Sequence, residues 1–277
     1  MPDTIVCRSP ENQANTRPVV LLHGFTGSPA SWDAVADVLA SRFDIATVAL
    51  ALPGHHPDVP VVPGWAGNID GVAARLRDAA TRGLVRLPAH LCGYSLGARV
   101  ALAVAASHAG LVSRLTLIGV HPGLPGEPEQ TSRRAADKIW IDRLRQRGID
   151  DFVAAWQEQP LFASQNVVSA RMRDHQHRIR SGHDPVALAA SLAHMGLAEM
   201  PDHRAFLTAL AIPVTLLTGQ HDAKFSALAR ELVQRAASAS GPRALDHLDV
   251  PDAGHNVVLE QPDLIAESIA RAHGRAP

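Results

Sequence analysis

The chain has 277 residues, 46% of them hydrophobic and 19% charged, a composition that excludes a disordered chain and fits one large α/β domain with room for an insertion. Its net charge of -1 supplies no field for holding nucleic acid or an anionic membrane. Two cysteines, Cys7 and Cys92, are too few for a disulfide framework and point to a reducing compartment. Residues 1–17 are polar and no apolar run reaches spanning length, so a cytoplasmic protein without membrane insertion is expected.

Pro18-Val19-Val20-Leu21-Leu22 is a continuous apolar run, as expected of a central parallel strand buried on both faces. It leads into His23-Gly24-Phe25-Thr26-Gly27-Ser28, a Gly-rich turn where an α/β sheet offers backbone N–H groups to a ligand. Ser31 is expected to cap a helix over 32–40. Residues 43–50 read as the next buried strand. Residues 68–81 read as a helix, with Ile69, Val72, Leu76 and Ala79 on one face.

The stretch from Ala89 to Ala106 then reads as strand, sharp turn and buried helix. Gly93-Tyr94-Ser95-Leu96-Gly97 fits G-x-S-x-G, the nucleophile elbow, in which glycines flank a serine held at the tip of a tight turn. The following helix aims its free N–H groups and positive dipole end at charge developing near Ser95 Oγ. An oxyanion hole needs two converging N–H groups, and these are assigned to Phe25 and Leu96. Arg99, one turn past Ser95, sits in a helix that is apolar nearly all round. A guanidinium there needs a partner, either a substrate carboxylate or an internal Asp or Glu.

Residues 111–120 read as another strand. Between residues 123 and 210 the strand–helix alternation stops and charged helical patterns replace it, at 133–147, 149–157, 164–180 and 185–195. An all-helical insertion of this length reads as a lid, dividing the chain into a core of 1–122 with 211–277 and a lid of 123–210. His175 and His177 read there as part of a solvated face, and no His/Cys cluster has metal-ligand spacing. The alternation resumes with a strand at 212–218, a helix at 224–237, a short strand at 247–250 and a closing helix at 261–271.

Serine, acid and histidine follow in that order along an α/β-hydrolase chain. Asp222 lies just past the strand ending at Thr218, and His255 lies in the loop after the last strand. Asp252 is a rival acid, read instead as a turn former beside Pro251. In the triad His255 takes the Ser95 proton, and Asp222 holds the imidazole in the needed tautomer.

These residues resemble the α/β-hydrolases over nearly the whole chain. A narrower resemblance is to the 2-succinyl-6-hydroxy-2,4-cyclohexadiene-1-carboxylate synthases of menaquinone biosynthesis. It rests on Leu22 to Gly27, on Gly93 to Arg99, on Arg133 to Trp140 with Asp137, and on Trp156-Gln157-Glu158-Gln159-Pro160-Leu161-Phe162. Asp222-Ala223-Lys224-Phe225, Gly254-His255-Asn256 and Glu260-Gln261-Pro262 complete it. The resemblance implies a lyase without metal or cofactor. It would eliminate pyruvate from a multiply anionic cyclohexene carboxylate, with the triad acting as base. It further implies that Arg99, Arg133 and Lys224 take carboxylates while Tyr94 and Trp156 wall the pocket. Ala98, His56 and Val258 depart from the family pattern. Two other readings stand beside it: a serine esterase or carbon–carbon bond hydrolase using an acyl-enzyme, and a non-catalytic binding protein on the same fold. The expected partner is a small anionic molecule, and the expected state a monomer or small homo-oligomer.

Overall fold

The computed structural model describes residues 4–9, 17–238 and 245–274. Seven strands form one sheet, β1 (Ile5–Arg8), β2 (Val19–Leu22), β3 (Thr47–Leu50), β4 (Ala89–Tyr94), β5 (Val112–Ile118), β6 (Val214–Gly219) and β7 (Leu245–Val250), in the order β1-β3-β2-β4-β5-β6-β7. β1 pairs antiparallel with β3, and every other pairing is parallel.

Helices cover both faces, which is why the central strands read as unbroken apolar runs. Along β2 the side chains alternate: Val20 and Leu22 join one buried cluster, Val19 and Leu21 the other. The first cluster lies under α2 (Trp65–Thr81), α3 (Leu96–Ser107) and α8 (Ala223–Ser238). The second lies under α1 (Asp33–Phe43) and α10 (Pro262–Ala272).

The structure corrects several local expectations. Ser31 does not cap α1; it lies inside a 3₁₀ turn, Pro29–Trp32, where its Oγ accepts the Ser28 N–H at 3.1 Å. Phe43 ends α1 rather than opening a strand, because Asp44 turns left-handed (φ 54°) and stops the helix. α2 begins at Trp65, three residues earlier than its apolar spacing suggested, and β1 had no counterpart in the sequence reading. β1 is short and half exposed, so its pattern carries little signal.

Between β5 and β6 the described residues hold helices and 3₁₀ turns only. These include α4 (Glu127–Gln157), a 3₁₀ turn (Pro160–Val167), α5 (Ala170–Ser181), α6 (Pro185–Met195) and α7 (Arg204–Thr208). α4 is bent at Gly148, whose φ of 79° is outside the helical region. A separate small core of Leu144, Phe152, Val153, Leu188 and Ala189 holds this segment together, and Phe25, Trp140 and Trp156 pack against it. Among the described residues no helix is long and apolar enough to cross a membrane.

Candidate active site

The elbow forms because two backbones approach too closely for side chains. A Cβ on Gly93 would lie 2.3 Å from the Gly97 carbonyl oxygen, and one on Gly97 would lie 2.0 Å from that of Leu22. Gly93 thus makes way for the first turn of α3, and Gly97 for the end of β2. Ser95 itself sits at φ 51°, ψ -106°, a conformation costly for a residue with a Cβ, and its N–H donates to the Ile118 carbonyl at 2.8 Å.

Two loops bring the partners to it. Asp222 precedes α8, and its Oδ1 accepts the Phe225 N–H at 3.3 Å, a capping bond that also sets the carboxylate at the positive end of the helix. Its Oδ2 accepts from His255 Nδ1 at 2.6 Å, and His255 Nε2 accepts from Ser95 Oγ at 3.2 Å. Three groups far apart in sequence thus form one hydrogen-bonded row. His255 is 4% exposed and Asp222 7%, so water competes little with these bonds. The two turns are also joined main chain to main chain, Gln220 N–H to Val250 O and His221 N–H to Ala253 O, both at 2.8 Å. The imidazole lies between the rings of Phe225 (4.5 Å) and Tyr94 (5.5 Å). Gly119, at φ 57°, passes so close that a Cβ there would be 2.8 Å from His255 Cε1. Asp252, the rival acid, is exposed in a left-handed turn whose N–H donates to Gln220 Oε1.

A hollow of about 100 Å³ opens beside Ser95, with Phe25, Tyr94, Trp156, Arg180, His255 and Val258 among its walls. Tyr94 and Trp156, both singled out in the sequence, are among these walls. Burial raises the Tyr94 hydroxyl pKa. Trp156 packs edge-on against Phe25 at 5.4 Å and stacks on Phe152 at 5.2 Å, and its indole N–H is buried without a partner among the described residues.

Arg180 is the residue that sequence reasoning missed. It is 4% exposed, its guanidinium lies 5.0 Å over the Phe162 ring, and no carboxylate of the described residues pairs with it. Burial pulls its pKa down to about 10. In sequence it is one of many charges in 164–180, and only packing shows that it faces inward. His175, read as solvated, also lines the hollow and hydrogen-bonds the Ala30 carbonyl at 3.2 Å.

Arg99, Arg133 and Lys224 do not line this hollow. Their charges, with that of Arg204, act instead on His121, just past the end of β5. Burial, with the Lys224 and Arg99 charges next in weight, lowers the His121 pKa to about 4. Its Nδ1 accepts the Gly123 N–H, and its ring faces Phe225 edge-on at 6.5 Å. Arg133 pairs with Asp137 at 2.8 Å. Among the described residues no Asp or Glu forms an ion pair with Arg99, and Asp137 acts on it only at longer range. Arg99 Nη1 donates to the Met195 carbonyl at 3.0 Å and its guanidinium lies 5.7 Å over the Trp65 ring. Burial, and then the Arg133 charge, lower its pKa to about 9. Among the described residues no group of three His, Cys, Asp or Glu could hold a metal ion.

The model of the alpha/beta hydrolase family matches residues 19–268. A relative from Enterobacter sp. (strain 638), named 2-succinyl-6-hydroxy-2,4-cyclohexadiene-1-carboxylate synthase, is 35% identical over 254 residues, 91% of this chain and 90% of the relative. The structure of MenH from S. aureus superposes with a TM-score of 0.85 at 23% identity, covering 97% of each chain. A thermophilic esterase from Thermogutta terrifontis superposes at 0.74 and 24% identity, covering 97% of this chain and 94% of its own, so the fold alone accommodates both names. The chain belongs to the alpha/beta hydrolase family, beside relatives that bear the 2-succinyl-6-hydroxy-2,4-cyclohexadiene-1-carboxylate synthase name.

Proposed function

We propose that the protein is a carbon–oxygen lyase. It would eliminate pyruvate from 2-succinyl-5-enolpyruvyl-6-hydroxy-3-cyclohexene-1-carboxylate to give 2-succinyl-6-hydroxy-2,4-cyclohexadiene-1-carboxylate. The single observation that carries this reading is the juxtaposition, in one hollow, of the Ser95–His255–Asp222 row with the buried Arg180 guanidinium, which has no carboxylate partner among the described residues. A neutral ester gives such a guanidinium nothing to bind, whereas a multiply anionic ring does.

In this mechanism His255 accepts the Ser95 hydroxyl proton. The resulting serine oxygen removes a proton from ring carbon 2, and the enolate-like charge moves through the ring double bond to break the C5–O bond. The enolpyruvate released takes a proton from the His255 imidazolium and becomes pyruvate, and the serine hydroxyl is already restored. Asp222 fixes the Nδ1–H tautomer and balances the imidazolium. The Phe25 and Leu96 N–H groups stabilise the developing oxyanion; losing one such donor typically costs about 10²–10³ in turnover. Arg180 takes one carboxylate beside Ser95. Arg99, Arg133 and Lys224 hold the further negative groups from the His121 side. Tyr94 and Trp156 wall the ring.

The helical segment of residues 123–210 acts as a lid. The hollow encloses about 100 Å³, less than the roughly 300 Å³ at which ligand pockets begin, so the substrate enters only when the segment moves outward.

The test supplies the enolpyruvyl-bearing precursor and a simple nitrophenyl ester side by side. Pyruvate release that depends on Ser95, with little ester turnover, supports the lyase. Ester hydrolysis without pyruvate release replaces it with the acyl-enzyme reading. Neither activity, with tight binding of the precursor, favours a binding protein.

A further inference from the structure

Two histidines that the proposed chemistry does not use fasten the turn after β2 to the loop after β3, each lending its ring to the other segment's backbone. His23 Nε2, in the turn, accepts the Leu52 N–H at 3.0 Å, and its Nδ1 donates to the Gly24 carbonyl at 2.8 Å. His55 Nε2, in the loop, accepts the Thr26 N–H at 3.3 Å, and its Nδ1 donates to the Pro53 carbonyl at 3.0 Å. An imidazole nitrogen that accepts carries no proton, so each ring is neutral with its proton on Nδ1. Both rings are buried, 4.9 Å apart, and burial pulls the His23 pKa down to about 3 and that of His55 down as well. Thr26 and Gly27 line the hollow together with Ser95, His255 and, from α9 (Val257–Glu260), Val258.

The turn between them is strained. The Gly27 N–H closes it on the Gly24 carbonyl at 3.0 Å, which puts Phe25 and Thr26 at its two central positions. Thr26 stands at φ 65°, in the left-handed region where a β-branched residue is disfavoured and glycine or asparagine is usual. Turning over the Phe25–Thr26 peptide would relieve that strain, but it would also take the Thr26 N–H away from His55. From this arrangement we propose that His55 is a positioning residue for the oxyanion hole, its bare Nε2 holding the Phe25–Thr26 peptide in the orientation that presents the Phe25 N–H to Ser95. The inference rests on the reading of Phe25 as an oxyanion donor. The Phe25 ring meets His55 edge-on at 5.7 Å, so main chain and side chain of that segment share one support. His183 also meets the His55 ring edge-on, at 5.3 Å. Buried with His23 and His183 beside it, His55 takes up no proton that would turn its Nε2 from acceptor to donor.

The test uses the full-length protein with His55→Phe, His55→Gln and Thr26→Gly. Phenylalanine keeps a ring beside Phe25 and loses the acceptor, whereas a glutamine carbonyl can still accept the Thr26 N–H. A mis-aimed oxyanion donor costs part of what its outright loss would cost. His55→Phe should therefore lower kcat for pyruvate release about tenfold with KM held within about twofold, while His55→Gln stays within about threefold of the parent. In a Thr26→Gly background, where the left-handed turn is no longer strained, His55→Phe should cost at most about threefold.

A second measurement needs no substrate. Nitrogen NMR of the histidine rings should show His55 in the neutral Nδ1–H form throughout the range where an ordinary histidine titrates. The Thr26 amide should exchange with solvent about tenfold faster in His55→Phe than in the parent, and at close to the parent rate in His55→Gln. A charged His55, a proton on its Nε2, an unaltered Thr26 amide in His55→Phe, equal damage from Phe and Gln, or an undiminished loss in the Thr26→Gly background would each overturn the role. If the parent protein releases no pyruvate, the lyase reading fails, while the ring tautomer and the Thr26 amide still decide whether His55 holds the turn.

Discussion

The hollow beside Ser95 and the patch around His121 both hold arginine, but on different terms. In the hollow a single guanidinium, Arg180, is buried over Phe162 and has no carboxylate partner among the described residues. The charges of four cations act on His121, and two of them have acids of their own, Arg133 on Asp137 and Arg204 on Asp202 at 2.7 Å. A buried charge left without a counter-ion costs the fold stability, and a site that tolerates the cost is poised for an incoming anion. A patch that partly neutralises itself sets a potential more than it grips one group. On the proposed reading Arg180 fixes the substrate at the reacting end, and the His121 patch supports the far end.

That contrast breaks first if the row of side chains is not the engine. Ser95→Ala should cut pyruvate release by a factor on the order of 10³ or more without lowering the melting temperature. Asp222→Asn should cost about as much, because it destroys the tautomer while leaving the ring in place; a variant of normal activity would detach both regions from the chemistry. Next, Arg180→Met should raise KM for the anionic substrate about tenfold to a hundredfold, the worth of a charge-assisted hydrogen bond in a dry site. Arg99→Met should raise it less, since Arg99 already spends a donor on the Met195 carbonyl. Equal effects, measured by steady-state kinetics, would erase the distinction between the two regions.

Gly119→Ala tests the wall behind the base. The added methyl would meet His255 Cε1 in a backbone conformation that disfavours it, so kcat should fall about tenfold with KM little altered. The smallest effect concerns acid stability. The His121 pKa is lowered to about 4 by burial and by Lys224 and its neighbours. Between the ordinary histidine value and that pKa the unfolded chain binds more protons than the folded one. Stability is thus complete above the ordinary value and lost as pH falls toward about 4. His121→Gln should flatten part of that decline in denaturant midpoints measured across the window.

The two regions were not equally legible beforehand. Ser95, Asp222 and His255 could be read because strand runs and turn residues announce where a parallel sheet ends, and chemistry collects at those ends. β1 was silent because four half-exposed residues carry no usable period. Arg180 was hidden for a different reason. Among the charges of α5, inward and outward arginines look alike until Phe162 and Tyr94 are seen to surround one of them. The partner of Arg99 was equally out of reach, since a main-chain carbonyl 96 residues away leaves no mark on side-chain pattern.

The lacing of the acid turn to the base loop has an evolutionary consequence. Because Gln220 and His221 are tied through peptide groups to Val250 and Ala253, the two halves of that corner travel as one cassette whatever side chains they display. Mutational drift at the exposed position 221 is free to reshape the rim without pulling the carboxylate from the ring it steadies. A rim that can vary while its hardware stays put is where a lineage can acquire a new clientele.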